Sequence, residues 1–103
     1  MQQKVQEFNK NMSCHKKTMP IYARLLDIQS ELGELSKEYL KSTKYGTENF
    51  SLSNDFKLEY GDVIYSLLSL ANETNIDANE CLTMAIEKYK NRLVKNNNMG
   101  SKN

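Results

Sequence analysis

Two short acidic motifs are the residues of this chain best suited to chemistry. Glu31 and Glu34 stand three residues apart, and Glu59 and Asp62 repeat that spacing further along the chain. On a helix, this spacing places both carboxylates of a pair on one face. If two such helices face each other, all four carboxylates converge, and a hard divalent cation would offset their repulsion. Oxygen ligands of this kind predict a Mg²⁺ site, with Mn²⁺ as a possible substitute.

A solvated helix face is the simpler explanation of either acidic pair taken alone. The second pair weakens that explanation, because Glu59 and Asp62 lead directly into the apolar segment 63–71. A helix that is apolar nearly all round is buried on most sides, so these carboxylates should lie near the domain interior. Residue chemistry alone leaves the metal site and the solvated surface open.

Other metal sites and nucleophilic centres find little support. The chain has one histidine, His15, and two separated cysteines, Cys14 and Cys81. A single histidine excludes the Glu-x-x-His pairs of a di-iron bundle and disfavours a structural zinc site. A serine or cysteine triad would need His15 as its base. The sequence contains neither a glycine-rich phosphate loop nor a dinucleotide-binding fingerprint.

Hydrophobic periodicity predicts an all-α fold with helices at about 2–12, 20–42, 55–74 and 78–94. The second helix is the clearest, because its apolar residues step by three and four: Ile21, Leu25, Ile28, Leu32, Leu35 and Tyr39. We term these six residues the α2 seam. The fourth helix has a predicted inner face of Ala78, Leu82, Ala85, Ile86, Tyr89 and Leu93. We therefore predict a bundle of about four helices in one domain, 1–94, with a flexible tail at 95–103.

Composition narrows the class of protein. The 103 residues suffice for one domain with a modest core, which oligomerisation would help to stabilise. The formal net charge of +1 favours neither nucleic acid nor an anionic membrane as a partner. No apolar run approaches the roughly 18–20 residues of a membrane span, and we expect no signal peptide. The two cysteines fit reduced thiols, so we expect a cytoplasmic protein.

A site that handles phosphate also requires cationic side chains. Lys88 and Arg92 stand four residues apart on the predicted fourth helix and can present one positive face. A solvated basic helix end, favoured by the helix dipole, explains the pair equally well. The spacing alone does not choose between these interpretations.

Three motifs together resemble a known family: Glu31-Leu-Gly-Glu34, Glu59-Tyr-Gly-Asp62-Val-Ile-Tyr and Glu87-Lys-Tyr-Lys-Asn-Arg92. Over about residues 20–93, the chain is similar to the MazG-like all-α nucleoside triphosphate pyrophosphohydrolases. That superfamily includes dCTP pyrophosphatases, dimeric dUTPases and phosphoribosyl-ATP pyrophosphohydrolases. Its members are helical bundles that assemble as dimers or tetramers. They cleave nucleoside triphosphates between the α and β phosphates, which gives a monophosphate and pyrophosphate.

The resemblance implies a role for each motif. The acidic residues of the first two motifs would be the Mg²⁺ ligands: Glu31, Glu34, Glu59 and Asp62. Glu34 could instead hold or deprotonate the attacking water, which would make it a catalytic residue. Lys88 and Arg92 would contact phosphate. Many relatives carry a doubled glutamate at the start of each acidic motif, where this chain has Ser30 and Leu58, so the number of metal ions stays open.

The base pocket of relatives tends to involve the N-terminal segment and a neighbouring subunit. By position and by their ability to stack, the candidates in this chain are Phe8, His15 and Tyr22. Each of them could equally be a packing or surface residue. The sequence does not identify the base.

The predicted function is a Mg²⁺-dependent pyrophosphohydrolase that removes non-canonical or surplus nucleotides and works as a homodimer or homotetramer. One alternative is a non-catalytic interaction module that uses the α2 seam to bind a partner helix. Another is a phosphoribosyl-ATP pyrophosphohydrolase, which shares the chemistry and differs in substrate.

Overall fold

The structure, a computed structural model, describes residues 1–12 and 19–99. Within those residues the chain forms four α-helices and no strand: α1 (Gln2–Met12), α2 (Ile21–Ser42), α3 (Asn54–Glu73) and α4 (Ala78–Met99). The predicted all-α class is confirmed. The predicted end of α4 at 94 is wrong, because the helix continues to Met99 and includes the first part of the predicted tail. None of the four helices combines the length and the hydropathy needed to cross a membrane.

Local sequence explains where the later helices begin. The Ser53 hydroxyl accepts a hydrogen bond from the Phe56 backbone N–H at 3.0 Å, which caps α3. Asp77 Oδ1 accepts from the backbone N–H groups of Asn79 (2.9 Å) and Glu80 (3.3 Å) at the start of α4. These side chains satisfy backbone donors that the first turn of a helix leaves unpaired.

Helices α2 and α3 form an antiparallel hairpin, joined by the loop 43–53. Residues early in α2 contact residues late in α3: Arg24 bonds to Glu73, and Asp27 accepts from Ser66. Thr43 is buried at the start of the loop, and its hydroxyl accepts a hydrogen bond from the Gly46 N–H at 3.0 Å. The antiparallel arrangement places the middle of α2, with its acidic pair, beside the first half of α3.

Helix α1 packs on α3, and polar contacts hold it near both of its ends. Gln2 donates to the Ile76 carbonyl at 2.7 Å and accepts from the Ala78 N–H at 2.8 Å. Asn9, at the other end, donates to Ser69 Oγ at 3.0 Å. The Gln2 bonds tie the start of α1 to the connector after α3 and to the first residue of α4, and the Asn9 bond ties its other end to α3. A cleft lies among α1, α2 and α3.

The core of the single chain is small and partly polar. Among the described residues, the buried apolar side chains are Val5, Val63, Leu68 and Ala71. Ser66 and Ser69 are fully buried within α3, and Arg24 of α2 is only 9% exposed. A core this small supplies little hydrophobic stabilisation for a domain of this length, which makes the exposed apolar surfaces of α2 and α4 notable.

The predicted inner face of α4 is not buried within one chain. Leu82, Ile86, Tyr89 and Leu93 are 44–64% exposed, and α4 makes few contacts with the described parts of the other helices. The expectation that this face packs within the same chain is wrong. Four members of the α2 seam are also about half exposed: Ile21, Leu25, Leu32 and Tyr39.

Candidate functional site

A cleft of about 700 Å³ lies among α1, α2 and α3. Its lining includes two of the predicted metal ligands, Glu31 from α2 and Asp62 from α3. The N-terminal helix contributes Phe8 and Asn9, and α3 contributes Tyr65. One cleft therefore carries carboxylates, an amide and aromatic rings.

The two acidic motifs lie on the facing helices of the hairpin. Glu31 and Asp62 are half-buried and line the cleft. Glu59 is also half-buried and Glu34 is exposed, and neither belongs to the cleft lining. The structure thus brings one carboxylate from each motif to the cleft and leaves the second member of each pair outside it.

Mutual repulsion links the four motif carboxylates. Burial raises the pKa of Glu31, and the negative charges of Asp62, Asp27 and Glu34 raise it further. A side-chain hydrogen bond with Asp62 raises the pKa of Glu59, followed by desolvation and by repulsion from Asp62, Glu34 and Glu31. The hairpin therefore concentrates negative charge where the acidic motifs face each other.

The side chains as placed do not form a closed ligand set. Across residues 1–12 and 19–99, no three histidine, cysteine, aspartate or glutamate side chains are grouped closely enough to hold a metal ion. Glu59 already shares a side-chain hydrogen bond with Asp62, so a set of four carboxylates would further require the exposed Glu34 to turn toward the cleft.

A buried ion pair holds the two acidic helices together. The Arg24 guanidinium bonds to both carboxylate oxygens of Glu73, with the shortest contact, Nη2 to Oε2, at 3.0 Å. Its Nη1 lies 3.5 Å from Asp27 Oδ2, which also accepts from Ser66 Oγ at 2.9 Å. Burial alone would lower the pKa of Arg24, but the hydrogen bond and charge of Glu73, with the charge of Asp27, raise it overall. Arg24 is therefore a fixed cation that sets how α2 lies on α3.

An amide and two aromatic rings also line the cleft. The Tyr65 hydroxyl donates a hydrogen bond to Asn9 Oδ1, and Asn9 Nδ2 donates to the buried Ser69 Oγ. Phe8 meets the Tyr65 ring edge to face, with centroids 6.0 Å apart. Phe8, predicted as a base-pocket residue, therefore lines the cleft that also holds Glu31.

The other predicted base-pocket residues do not join Phe8 at the cleft. Tyr22 is 70% exposed on α2 and does not belong to the cleft lining. His15 lies outside the described residues. Of the two stacking candidates that lie within the described residues, Phe8 lines the cleft and Tyr22 does not.

The predicted phosphate-binding residues lie apart from the acids. Lys88 and Arg92 flank the Tyr89 ring on α4, at 5.0 Å and 5.9 Å from its centroid. Neither belongs to the lining of the cleft. Both border a shallow hollow made by α4 residues alone. Within one chain, the structure does not bring these cations to the carboxylates.

Several residues of the cleft were not predicted as site residues: Asn9, Arg24, Asp27, Tyr65, Ser66, Ser69 and Glu73. One signal was present in the sequence. Tyr65, Ser66 and Ser69 interrupt an apolar segment that is otherwise typical of a buried helix. Buried hydroxyls require hydrogen-bond partners, so this interruption indicates a polar contact, although it does not name the partner.

Replacing Glu31 with glutamine is expected to stabilise the metal-free protein. At pH 7 the substitution removes a repelled carboxylate and should raise the melting temperature by about 1–4 °C. Because the pKa of Glu31 is raised in the folded state, repulsion is present above the raised pKa and absent below the ordinary one. The rise in melting temperature of Glu31→Gln over wild type should therefore vanish near pH 4. Thermal unfolding of Glu31→Gln in EDTA at both pH values measures this.

Glu7→Gln is a matched control, because Glu7 is an exposed glutamate of α1 and does not belong to the cleft lining. It should change the melting temperature little at either pH. Equal stabilisation by both variants would show that the effect is not specific to the acidic motifs.

Comparisons with known proteins found no relative of this chain. No family model matches the chain, and neither a curated protein nor a solved structure matches it. Any function therefore has to be argued from the motifs and from the cleft.

Proposed function

We propose that this protein is a Mg²⁺-dependent nucleotide pyrophosphohydrolase, which converts a (d)NTP to a (d)NMP and pyrophosphate. The observation that carries the proposal is the pairing of the two acidic motifs across the α2–α3 hairpin, with Glu31 and Asp62 in one cleft. The resemblance of the motifs to MazG-like enzymes supports the same chemistry. The role that fits is removal of non-canonical or surplus nucleotides.

The chemistry of the donor set fits a hard divalent cation. All four side chains offer carboxylate oxygens, which Mg²⁺ prefers. Burial is the main cause of the raised pKa of Glu31 and a hydrogen bond with Asp62 that of Glu59, and repulsion among the motif carboxylates, which a cation would offset, raises both further. When bound, Mg²⁺ supplies neutralisation of phosphate charge. Glu31, Glu59 and Asp62 would hold it, with Glu34 as a fourth ligand.

The exposed Glu34 is the residue that we assign to proton transfer. As a carboxylate it orients the attacking water and accepts its proton while the water oxygen bonds to phosphorus. The bond between the bridging oxygen and phosphorus breaks, and that oxygen departs with one of the two products. Glu34 can serve in this role or as a ligand, and both roles require its ionised form.

Assembly is part of the proposal. In a single chain, the apolar face of α4 and the half-exposed α2 seam remain accessible to water. Exposed apolar patches of this kind mark protein–protein interfaces. A homodimer or homotetramer would cover these surfaces. We propose that, in such an assembly, Lys88 and Arg92 of one copy contact phosphate groups held by another.

Ile86→Lys should disrupt this assembly, because it places a charge in the centre of the exposed α4 face. We expect the molar mass in solution to fall to that of one chain, as measured by light scattering coupled to size-exclusion chromatography. Asn91→Lys is the matched control, since Asn91 lies on another side of the same helix and is exposed. A wild-type protein that already has the mass of one chain would contradict the oligomer.

One observation favours a second function. The α2 seam is about half exposed at Ile21, Leu25, Leu32 and Tyr39, as a surface that binds a partner helix would be. Such a non-catalytic module would have no use for Mg²⁺ or a nucleotide. A phosphoribosyl-ATP pyrophosphohydrolase would need Mg²⁺ and a nucleotide, and the base and sugar of its substrate would differ from those of a (d)NTP.

A thermal-shift measurement separates these functions. A ligand that binds only the folded protein must stabilise it, by about 2.7 kcal/mol at a hundredfold excess over Kd. We expect Mg²⁺ with an α,β-imido nucleoside triphosphate to raise the melting temperature by about 10 °C. Mg²⁺ alone should give a smaller rise. No shift with any nucleotide, at concentrations up to the millimolar range, would favour the interaction module.

A further inference from the structure

We propose that α4 pairs with α4 of a second copy of this chain, antiparallel and in one register. Leu82 of one copy then faces the partner's Leu93, and Ile86 faces the partner's Tyr89. The two copies are related by a two-fold axis at the middle of the helix, so the contact closes as a dimer. This inference rests on the assembly in the proposed function and does not depend on the catalytic activity.

The uncovered apolar face of α4 is the first support. Leu82, Ile86, Tyr89 and Leu93 are 44–64% exposed, and α4 makes few contacts with the described parts of the other helices. The four residues step by four, three and four, which is the spacing of a helix that packs lengthwise on another helix. The helix has 22 residues and is therefore about 33 Å long. Another helix of similar length matches this face.

The charges of α4 indicate which helix covers it. The two acids of the helix, Glu80 and Glu87, lie in its first half, and its four cations lie in the second half: Lys88, Lys90, Arg92 and Lys95. An antiparallel pair places the acidic half of each helix along the basic half of the other, whereas a parallel pair places like charges together. The sign changes between Glu87 and Lys88, midway between Leu82 and Leu93. One two-fold axis therefore aligns both the apolar residues and the charges.

The helix dipole does not account for this division. It favours acids in the first turn and cations in the last turn, and its effect fades within one turn. Glu87, Lys88 and Lys90 lie near the middle of α4. Glu87 and Lys90 also lie 3.6 Å apart within one chain, but both side chains are more than half exposed, and such a pair is weak. These central charges therefore remain available to a second helix.

The facing residues also match in size and polarity. In this register leucine meets leucine in the two outer layers, and tyrosine meets isoleucine in the two central layers. A large side chain opposite a smaller one fills the space between two helices evenly, whereas a parallel pair places both Tyr89 rings in one layer. The next positions of the pattern are Asn79 and Asn96, which are exposed and face each other in the antiparallel pair. Polar layers thus end the apolar contact on both sides.

The test is the disulfide pattern of Leu82→Cys with Leu93→Cys, in a protein that also carries Cys14→Ser and Cys81→Ser. The two new cysteines lie about 16 Å apart along one helix, so they cannot join within a chain. We expect oxidation to give a covalent dimer in which mass spectrometry of the peptides links position 82 to the partner's position 93. Links from 82 to 82 and from 93 to 93 would show a parallel pair and overturn the inference. So would a folded oligomer that never links 82 to 93.

Asn91→Cys with the same two serine substitutions is the matched control. Asn91 is exposed and lies on another side of α4, outside the facing layers. It should form little covalent dimer under the same oxidation. Equal amounts of covalent dimer from Asn91→Cys would mean that random collisions explain the links, which would also overturn the inference.

The salt dependence of wild-type assembly is a second measurement, and it needs no substitution in the apolar face. Opposite charges across an antiparallel pair should raise the dissociation constant by about threefold or more between about 50 mM and about 500 mM NaCl, because salt screens their attraction. Like charges across a parallel pair predict a fall instead. Analytical ultracentrifugation gives the constant. If the cysteine variant fails to fold, a dissociation constant that does not rise with salt overturns the inference.

Two charge variants assign the salt effect to α4. Glu80→Gln with Glu87→Gln should remove most of the rise, because the acidic half of the helix becomes neutral. Glu7→Gln with Glu48→Gln is the matched control, since both residues are exposed glutamates outside α4, and it should keep the rise. Equal effects of the two variants would contradict the pairing.

Failure of this inference and failure of the proposed function give different results. A folded oligomer with another disulfide pattern would refute the α4 pair and leave the pyrophosphohydrolase unaffected. The predicted pattern in a protein that hydrolyses no nucleotide would support the α4 pair and refute the enzyme. Wild-type protein with the molar mass of one chain would refute the α4 pair together with the assembly.

Discussion

Replacing Glu34 with glutamine and Asp62 with asparagine in one protein is expected to lower pyrophosphate release by at least about a thousandfold. The double variant removes one charge from each acidic motif and leaves side chains of nearly the same shape. Loss of several kcal/mol of charge stabilisation at the phosphates corresponds to a rate change of this size. The measurement is the initial rate of pyrophosphate formation with saturating Mg²⁺.

The matched control is Glu48→Gln with Asp55→Asn. Both residues are exposed acids, of the loop 43–53 and of the first turn of α3, and neither lines the cleft. The control has the same change in net charge and should keep most of the activity. Undiminished turnover by the Glu34 and Asp62 double variant would remove these motifs from the reaction.

Arg24→Met should cost about 3 kcal/mol of unfolding free energy. The substitution leaves Glu73 partly buried, with a side chain only 20% exposed and no guanidinium beside it. It also removes the contact with Asp27. An unpaired carboxylate in such a place is far more destabilising than the intact ion pair is stabilising. Urea denaturation, monitored by circular dichroism, gives the free energy.

The double variant Arg24→Met with Glu73→Met is the control that isolates the charge. It removes both partners and keeps similar side-chain volumes, so much of the stability should return. Lys41→Met serves as the surface comparison, because the Lys41–Glu38 pair lies within one helix and the Lys41 side chain is 53% exposed. Its loss should cost about 1 kcal/mol or less. A cost for Arg24→Met no greater than for Lys41→Met would contradict a structural role for the buried pair.

The helices were predictable from the sequence because their signals are local. The spacing of the α2 seam and the caps at Ser53 and Asp77 depend only on neighbouring residues. The exposure of α4 was not predictable, since periodicity identifies an apolar face and does not say what covers it. Leu82 and Leu93 have the pattern of core residues and remain exposed in one chain.

The candidate site also has residues that the sequence could predict and residues that it could not. Glu31 and Asp62 could be predicted as neighbours on the condition that their helices face each other, and in the structure both line one cleft. The contact of Asn9 with Tyr65 could not, because 56 residues separate them and neither residue type specifies the other. Arg24 was equally hidden, since an arginine beside an apolar seam usually reaches solvent, and only the packed hairpin shows Glu73 opposite it.

The product analysis of nucleoside triphosphate hydrolysis tests the central claim most directly. Purified protein with Mg²⁺ is incubated with a panel of canonical and modified (d)NTPs, and the products are separated by anion-exchange chromatography. We predict nucleoside monophosphate and pyrophosphate in equal amounts from at least one nucleotide, and no reaction in EDTA. Folded, fully assembled protein that forms neither product from any member of the panel would contradict the proposed function.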